Sequence, residues 1–498
     1  MLTKNMSAGI AIYLLLCFPF AKSIQHLSVA QLHGAFTDRP VERFAFGSCN
    51  KQRKPQPLWK DIVDSKPQFW LWLGDNIYLD RRTKEHPAWH FPGESYAKQE
   101  YAVQMNHSDY QYFLASDIPI TGIWDDHDFG VNNAGKEFTG RDITKKLMLE
   151  FLGIPEGHDV YRREGTYVHH TLGPSGRRTT VILLDTRTFR DPLGSNGDML
   201  GDQQWEWLAS ILASSTSQVH IIGSTIQVLQ DLGPFLRPYD HPESWAAFPE
   251  ERCRLFDLLK KHRIPGVIFL SGDVHHADFN SRPRMCETLV DSCGIGYDIF
   301  EMTSSGMTHT FRDEGLKAAL PAYDYLLPGN LSQPWHFPRP FNRPRFFGFN
   351  YGLIDIAWGD TMNATTVTLR VLTENNIVVM ERELRGEQLL PVTTSARPEQ
   401  DELWDTLMTH HLRNEQELLA VCMGEQSLPL LPRHRLRLLA VLIAIAYIPS
   451  RVLLSKPPLS TTICALGGMV LLLRLAFRVA LGSKGSQYRY LSWQRKIA

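Results

Sequence analysis

The chain has 498 residues, 43% of them hydrophobic, which is enough apolar material for one large catalytic unit with appendages or for two domains. Its formal net charge is −1 at pH 7. A chain with so little net charge gives no electrostatic reason to expect nucleic acid as a stable partner.

The first segment, residues 1–23, has the composition of a signal peptide. Lys4 precedes an apolar stretch from about Ala8 to Phe20, and Ala21-Lys22-Ser23 follows with small residues at a plausible cleavage site. The apolar stretch is too short for a comfortable membrane span, so an uncleaved anchor is the weaker alternative. We therefore expect the chain to enter the secretory pathway. Three glycosylation sequons suit that route: Asn106, Asn330 and Asn363.

The cysteines suit an oxidising compartment. Of the seven in the chain, Cys17 lies in the signal segment and Cys464 in a C-terminal apolar segment. Four others can pair as disulfides, and Cys49 is then left over. These four are Cys253, Cys286, Cys293 and Cys422, with Cys286 to Cys293 the easiest closure.

Five apolar runs in the middle of the chain predict buried strands, and each run ends at a polar residue. They are Phe44–Gly47, Phe69–Leu73, Val181–Leu184, His220–Gly223 and Val267–Leu270. Segments with helical spacing lie between them, among them Gln203–Leu212 and Glu250–Lys261. This alternation is typical of an α/β fold. Open α/β sheets bind ligands at the carboxyl ends of their strands, which is where the polar residues fall.

Three alternating segments predict antiparallel strands that close the domain: Leu353–Trp358, Val367–Leu372 and Ile377–Met380. The polar and mixed composition of residues 386–432 predicts a stalk, with a helix over Glu402–Cys422.

Residues 433–481 form a hydrophobic region that we expect to anchor the chain in a membrane. It contains two short apolar runs, and the second, Leu459–Leu473, is the better transmembrane helix. The first, Leu436–Leu454, is either an interfacial helix or half of a hairpin. The basic tail, residues 482–498, would lie on the cytoplasmic side, which places the preceding domain in the lumen or outside the cell.

A carboxylate and a phenol follow the second predicted strand, in Gly74-Asp75-Asn76-Ile77-Tyr78. Because they are three residues apart in a tight turn, Asp75 and Tyr78 can converge on one cation. Hard oxygen ligands of this kind suit ferric iron or another Lewis-acidic metal. An Asp-Asn turn beside a core tyrosine explains this motif equally well when it is taken alone.

Three carboxylates surround a histidine in Asp125-Asp126-His127-Asp128. Such crowding of negative charge is costly unless cations are present. An exposed acidic loop would avoid that cost, but Ile120, Ile123 and Trp124 place the start of the cluster beside a core. We therefore favour a metal site over a solvated loop.

Asp273 and His275 follow the last buried strand, in Ser271-Gly272-Asp273-Val274-His275. Two residues apart on an extended chain, both side chains can face one site, and carboxylate and imidazole are both metal ligands. A histidine satisfied within the core is the alternative. It is less favoured because a further histidine and aspartate, His276 and Asp278, follow the same strand.

Arginines follow a different strand, in Asp185-Thr186-Arg187-Thr188-Phe189-Arg190. An arginine can grip a phosphate through two parallel hydrogen bonds. A structural salt bridge to one of the many carboxylates is an equally good interpretation for each arginine.

Together these motifs resemble the alkaline phosphatase D family, the PhoD-like members of the calcineurin-like metallophosphoesterase superfamily. The resemblance runs from about Arg43 to Leu384, and the motifs occur in the family's order, beginning with Gly47-Ser48-Cys49-Asn50. It implies a four-layer α/β/β/α metallophosphoesterase sandwich over residues 41–385.

The resemblance also implies a metal-dependent phosphate-ester hydrolase that uses ferric iron (Fe3+) and calcium (Ca2+), with another divalent metal as an option. Four residues would be iron ligands, with Asp75 bridging the metals: Cys49, Asp75, Tyr78 and His275. The calcium ligands would be Asp126, Asp273 and either Asn132 or Asn133. Metal-activated hydroxide would attack the ester, Arg187 would clamp the phosphate, and His127, oriented by Asp128, would protonate the leaving group.

Two other functions stay open at this level. A catalytically silent, metal-binding ectodomain would use its surface to bind a partner, and a phosphodiesterase or nuclease would use the same metals on a different ester. Substrate choice would depend on loops whose shapes the sequence does not give, and the oligomeric state is likewise open. These loops are Arg81–Glu100, Asp231–Glu251 and Ala322–Phe347.

Overall fold

Two β-sheets form the centre of the protein. The computed structural model describes residues 32, 34–193, 197–229, 243–282, 295–310 and 345–391. In these ranges the expected mixed α/β fold is confirmed, with one sheet of six strands and one of seven. The predicted signal peptide, the stalk with its helix, the anchor and the basic tail lie outside these ranges.

The first sheet supplies three neighbouring strand ends to the site. Its strands are β1 (Arg43–Gly47), β2 (Trp70–Leu73), β3 (Ile120–Ile123), β11 (Tyr351–Ala357), β12 (Thr366–Thr373) and β13 (Ile377–Arg385). They follow the order β13-β12-β11-β1-β2-β3. Strands β1, β2 and β3 are parallel, and β11 pairs antiparallel with β1. The carboxyl ends of β1, β2 and β3 therefore meet at one edge.

The second sheet supplies the other strand ends. Its strands are β4 (Val168–Leu172), β5 (Thr179–Leu184), β6 (Val219–Ser224), β7 (Val267–Ser271), β8 (Ala277–Arg282), β9 (Ile299–Ser304) and β10 (Arg345–Phe346). They follow the order β10-β8-β9-β7-β6-β5-β4. Strands β5, β6, β7 and β9 are parallel, and β4 and β8 pair antiparallel with their neighbours.

Helices cover the outer faces of both sheets. They are α1 (Leu58–Asp64), α2 (Glu94–Met105), α3 (Ser108–Leu114), α4 (Asp126–Phe129), α5 (Arg141–Phe151), α6 (Gly201–Ser214) and α7 (Pro249–Lys261). Short 3-10 turns are Asp159–Tyr161, Trp245–Ala247, Met362–Ala364, Glu374–Asn376 and Gly386–Leu389. Trp59 of α1 packs on Trp70 and Trp72 of β2, with ring centroids 5.2 and 5.3 Å apart.

Strand β5 shows how the layers are arranged. Val181 and Leu183 join the core that contains the first sheet, whereas Ile182 and Leu184 join a second core with the side chains of α6 and α7. At Gly223 an added Cβ would lie 2.8 Å from Leu73 of the first sheet. The two sheets therefore pack face to face, because side chains alternate between the faces of a strand.

The predicted strands and helices that lie in these ranges agree with the structure to within two residues at each end, except that the last strand continues to Arg385, five residues beyond the predicted end at Met380. Strands β3, β4, β8, β9 and β10 were not predicted. In β9 the reason is Glu301, which is fully buried and interrupts the apolar run. It accepts hydrogen bonds from the backbone N–H groups of Val228 and Leu229 at 2.7 and 2.9 Å, partners that are remote in sequence.

Two cysteines, Cys49 and Cys253, lie within the described ranges, and the predicted membrane anchor does not. Cys49 is free and buried, and Cys253 is disulfide-bonded. The predicted pair Cys286 and Cys293 lies outside the described ranges. No helix within those ranges combines the length and apolar character needed to cross a bilayer.

His220, at the start of β6, makes stability depend on pH. Its ring nitrogens lie 2.7 Å from the Pro265 carbonyl oxygen and 2.6 Å from the Ser215 hydroxyl, and burial lowers its pKa from 6.5 to about 4. The unfolded chain binds this proton more readily than the folded chain. Stability is therefore fully present above pH 6.5 and is lost as pH falls towards 4, by up to about 3 kcal/mol.

We expect His220→Gln to remove most of this pH dependence from the free energy of unfolding, measured with urea between those two pH values. His262→Gln is the matched control, because His262 is a half-buried histidine at the end of α7. Equal pH slopes for the wild type and His220→Gln would show that another group is responsible.

Candidate metal centre

Acidic and sulfur side chains from separate strand ends converge in three groups. The groups are Cys49, Asp75 and His275; Asp75, Asp126 and His127; and Asp125, Asp126 and Asp273. Within each group the potential ligand atoms lie within 4.8 Å of one another. Asp75 belongs to the first two groups and Asp126 to the last two, so the three groups form one continuous cluster.

The first group contains the sulfur donor and the His275 imidazole. Cys49 Sγ lies 3.4 Å from Asp75 Oδ2, and the Tyr78 hydroxyl lies 3.1 Å from the same oxygen. The structure thus brings together all four side chains that the family resemblance gives to one metal, because His275 completes the group. Their common neighbour is the Asp75 carboxylate.

Four of these residues have a left-handed backbone. The φ angles are 61° at Cys49, 49° at Asp75, 69° at Asp273 and 56° at His275. This region disfavours side chains with a Cβ and costs roughly 1 kcal/mol or more per residue. Such strain is concentrated at functional sites, and here it falls on four residues whose side chains point into one cluster.

Two glycines allow the strand ends to approach each other. A Cβ at Gly74, where φ is 83°, would lie 2.3 Å from the Cβ of Asp125. A Cβ at Gly272 would lie 2.4 Å from the Ser48 hydroxyl and 2.8 Å from the Leu73 carbonyl oxygen. Side chains at these positions would push the turns apart, so both glycines are needed for convergence.

The protonation behaviour of the cluster fits a cation site. Burial, reinforced by neighbouring acidic groups, raises the pKa of Cys49, Asp75, Tyr78 and Asp273 well above the usual values. Burial and nearby histidines lower the pKa of His275, which keeps its imidazole neutral. Metal ions bind thiolate, carboxylate and neutral imidazole, and a cation among these atoms would restore the suppressed negative charges.

Asp126 and His127 carry opposite charges. Burial opposes ionisation of Asp126, but the positive charges of His127 and Arg187 outweigh it and lower its pKa to about 2. Burial also opposes protonation of His127, but Asp126, Asp75 and Asp80 raise its pKa to about 10. His127 therefore holds a proton at neutral pH beside a carboxylate cluster.

Asp80, and not Asp128, orients His127, which corrects the role expected from the sequence. The Nδ1 atom of His127 lies 2.7 Å from Asp80 Oδ1. Asp128 instead accepts hydrogen bonds from the backbone N–H of Asp125 at 2.6 Å and from the side-chain amide of Asn76 at 2.6 Å. Asp128 thereby holds the β2 and β3 turns together.

Arg187 lies in a buried ion pair, the alternative that the sequence left open. Its side chain has no exposed surface; its Nε donates to Asp125 Oδ1 at 2.5 Å, and its Nη1 contacts Glu243. Arg190 contacts the same Glu243 at 2.8 Å. These ion pairs orient the guanidinium group beside the cluster, and the phosphate clamp by Arg187 stays a prediction.

Asn132 and Asn133 contact the cluster through their backbones. The N–H of Asn132 donates to Asp80 at 2.8 Å, and the N–H of Asn133 donates to Asp126 Oδ2 at 2.6 Å. The side-chain amide of Asn132 donates to Asn133 Oδ1 at 2.9 Å. The asparagines thus hold Asp80 and Asp126 in place, and metal ligation by Asn132 stays a prediction.

A comparison with known protein families shows to which family the chain belongs. Residues 44–310, more than half of the 498 residues, match the model of the family described as PhoD-like phosphatase. The chain belongs to this family. The matched span contains every residue of the three ligand groups.

One curated relative of this PhoD-like chain is alkaline phosphatase D of Bacillus subtilis (strain 168). The two are 25% identical over 289 residues, which covers 48% of each protein. The chain thus spans about half the length of this relative.

Two solved structures are similar to the PhoD-like chain. One is a structure of PhoD, with 17% identity and a TM-score of 0.48, covering 75% of this chain and 77% of the other. The second is GAP50, the anchor in the inner membrane complex of Plasmodium, with 13% identity and a TM-score of 0.38. The match covers 73% of this chain and 93% of the other. Similarity at this level carries no argument about activity or site.

Sequence reasoning missed two residues that follow β9 of the PhoD-like chain. Ser305 lies 3.0 Å from Cys49 Sγ and accepts the N–H of His275 at 2.8 Å. His309 Nδ1 lies 2.8 Å from the Tyr78 hydroxyl, and its ring centroid lies 3.7 Å from that of His275. Both would have been found as polar residues at a strand end if β9 had been predicted.

Proposed function

We propose that this chain is a metal-dependent hydrolase of phosphate esters. The observation that carries the proposal is the single buried cluster in which Asp75 and Asp126 each belong to two ligand groups. Shared carboxylates between adjacent cation sites are the arrangement that a two-metal hydrolase requires. Membership of the PhoD-like phosphatase family supports the same reaction class.

The donor chemistry separates two sites within the cluster. We assign Cys49, Asp75, Tyr78 and His275 to ferric iron, because thiolate, phenolate and imidazole suit a transition metal. Asp126 and Asp273, with Asn132 or Asn133, would supply the oxygen ligands that calcium prefers, and Asp75 would be available to both sites. Bound metal ions would generate the nucleophile from water and neutralise charge on the phosphoryl oxygens. Asp125, from the third ligand group, is a further candidate on the calcium side.

The protein's own residues then orient the reaction. His127 holds the proton that the leaving group needs, and Asp80 fixes the ring through Nδ1 so that Nε2 is the donating atom. Arg187 acts as a positioning residue, because its ion pair fixes the Asp125 carboxylate in the third ligand group.

We also propose that the protein is a secretory-pathway enzyme with a C-terminal membrane anchor and a lumenal or extracellular catalytic domain. The composition of residues 1–23 and 433–481 supports this topology. Within the described ranges, Asn106 and Asn363 are exposed, as glycosylation would require.

The test of the proposed function is release of phosphate from a chromogenic ester by the purified protein, with its metal content measured in parallel. Hydrolysis that depends on the bound metal supports the proposal. A protein with full metal occupancy and no hydrolysis would instead be a metal-binding module.

The assignment of iron predicts a coloured protein. A tyrosine phenolate bound to ferric iron absorbs visible light by charge transfer, so Tyr78→Phe should remove the phenolate band and leave only the absorption due to the Cys49 thiolate, while Cys49, Asp75 and His275 still hold the metal. The measurements are the visible absorption spectrum and the iron content. Tyr101→Phe is the matched control, because Tyr101 is also buried but packs in the apolar core. A colourless wild type that contains only zinc would remove iron from the proposal.

A further inference from the structure

The loop after Asp80 is fixed directly beside His127. Asp80 contacts both the His127 ring at 2.7 Å and the backbone N–H of Asn132 at 2.8 Å. The loop that follows is closed by two backbone hydrogen bonds between Arg81 and His90, at 3.1 and 3.2 Å. Its position relative to His127 is therefore set at the base of the loop.

Two rings enclose His127. The Tyr78 ring centroid lies 4.1 Å from that of His127. The ring centroid of the half-buried Trp89 lies 5.6 Å from that of His127, with an angle of 74° between the two ring planes. The His127 side chain keeps only 7% of its surface exposed. A group that receives the His127 proton must therefore pass close to Trp89.

Arg82 lies over Trp89 on the exposed side of this loop. The guanidinium carbon of Arg82 is 4.3 Å from the Trp89 ring centroid, within the range of a cation–π contact. In the described part of the chain, the Arg82 guanidinium makes neither an ion pair nor a hydrogen bond. Its N–H groups are thus held at the rim of the site and are available to an acceptor.

We propose that Trp89 and Arg82 form the leaving-group subsite, and that this site prefers phosphate esters whose leaving group combines a planar apolar part with a negative charge. Trp89 would contact the planar part, and Arg82 would pair with the charge. This inference rests on the proposed function.

The position of the subsite follows from the geometry beside His127, where the Trp89 ring lies 5.6 Å from the His127 ring and Arg82 lies over Trp89. In hydrolysis the bond between phosphorus and the leaving-group oxygen breaks, and a bond from phosphorus to the water oxygen forms. The proton on His127 Nε2 passes to the departing oxygen, and a proton released from the water restores the charge of the imidazole. The leaving group would therefore lie beside Trp89, the ring next to His127, with Arg82 over that ring.

Arg81 provides a matched control for Arg82. It is also exposed and stacks on an aromatic ring, but that ring is Tyr96, at 4.9 Å. The two neighbouring arginines have the same charge and the same type of contact, and they differ in which ring they cover.

The experiment compares two probe esters, para-carboxyphenyl phosphate and its neutral analogue para-carbamoylphenyl phosphate, on the metal-loaded protein. Arg82→Gln should lower the carboxylate-to-amide ratio of kcat/KM about five- to tenfold, mainly through KM, as expected for loss of a charge-assisted contact at a partly solvated rim. Arg81→Gln should leave that ratio at the wild-type value. Trp89→Ala should lower kcat/KM for both aryl esters relative to methyl phosphate.

Two outcomes would overturn the subsite: an unchanged ratio in Arg82→Gln, or the same decrease in Arg81→Gln. If the wild type hydrolyses no ester, the proposed function fails and the subsite is judged by binding of para-carboxybenzyl phosphonate, followed by tryptophan fluorescence. Weaker binding in Arg82→Gln but not in Arg81→Gln would support the subsite, and equal or undetectable binding in all three proteins would refute it.

Discussion

Replacing Asp75 with asparagine should lower kcat/KM for phosphate esters by about a thousandfold or more. Asp75 belongs to two of the three ligand groups, and asparagine keeps its size but removes the charge that two cations would share. Loss of metal-based stabilisation is worth several kcal/mol, and each 1.36 kcal/mol corresponds to about tenfold in rate. The measurements are phosphate release and metal content per protein molecule.

Asp117→Asn is the control for Asp75→Asn. Asp117 has nearly the same backbone conformation, with φ of 57° against 49°, but it is exposed and belongs to none of the ligand groups. It should keep wild-type activity and metal content. An Asp75→Asn protein that retained both metals and full activity would show that this carboxylate bridges nothing.

Replacing His127 with asparagine should lower kcat by about 10²- to 10⁴-fold on esters with poor leaving groups, which is the range for loss of a general acid. The loss should be much smaller on para-nitrophenyl phosphate, because that leaving group departs without a proton. The ratio of the two losses is the informative quantity, since a structural defect would lower both rates alike.

Asp80→Asn tests whether the orientation of the His127 ring matters for the reaction, because this variant retains His127 itself. It keeps the imidazole but weakens the contact at Nδ1, so the same preference for good leaving groups should appear with a smaller loss. An Asp128→Asn variant should instead reduce stability, because Asp128 contacts the backbone of the β2 and β3 turns. Leaving-group dependence in Asp128→Asn but not in Asp80→Asn would restore the orientation predicted from the sequence.

The strand ends were predictable because their signal is local. An apolar run that ends shortly before Asp75 or Asp273 identifies both the strand and the edge of the sheet at which its carboxylate lies. Parallel strands then bring these edges together without further information from the sequence. For this reason the mixed α/β fold and the convergence of the predicted ligands could be deduced before the structure.

The partners of the polar residues were not predictable, because they depend on contacts between distant segments. Asp80 lies 47 positions from His127, whereas Asp128 is its neighbour in sequence, so proximity along the chain pointed to the wrong carboxylate. Arg187 meets Asp125 from 62 positions away and also meets Glu243. Whether an arginine faces a substrate or a buried carboxylate depends on such pairs.

At the four residues with a left-handed backbone, the conformation favours glycine, whereas the proposed metal site needs a side chain with a donor atom. Glycine would be the more comfortable residue at positions 49, 75, 273 and 275, and only the need for a donor atom justifies the side chains found there. A related protein that had lost the activity would be more stable with glycine at these four positions. The residues at these four places in any related chain therefore indicate whether selection still maintains the reaction there.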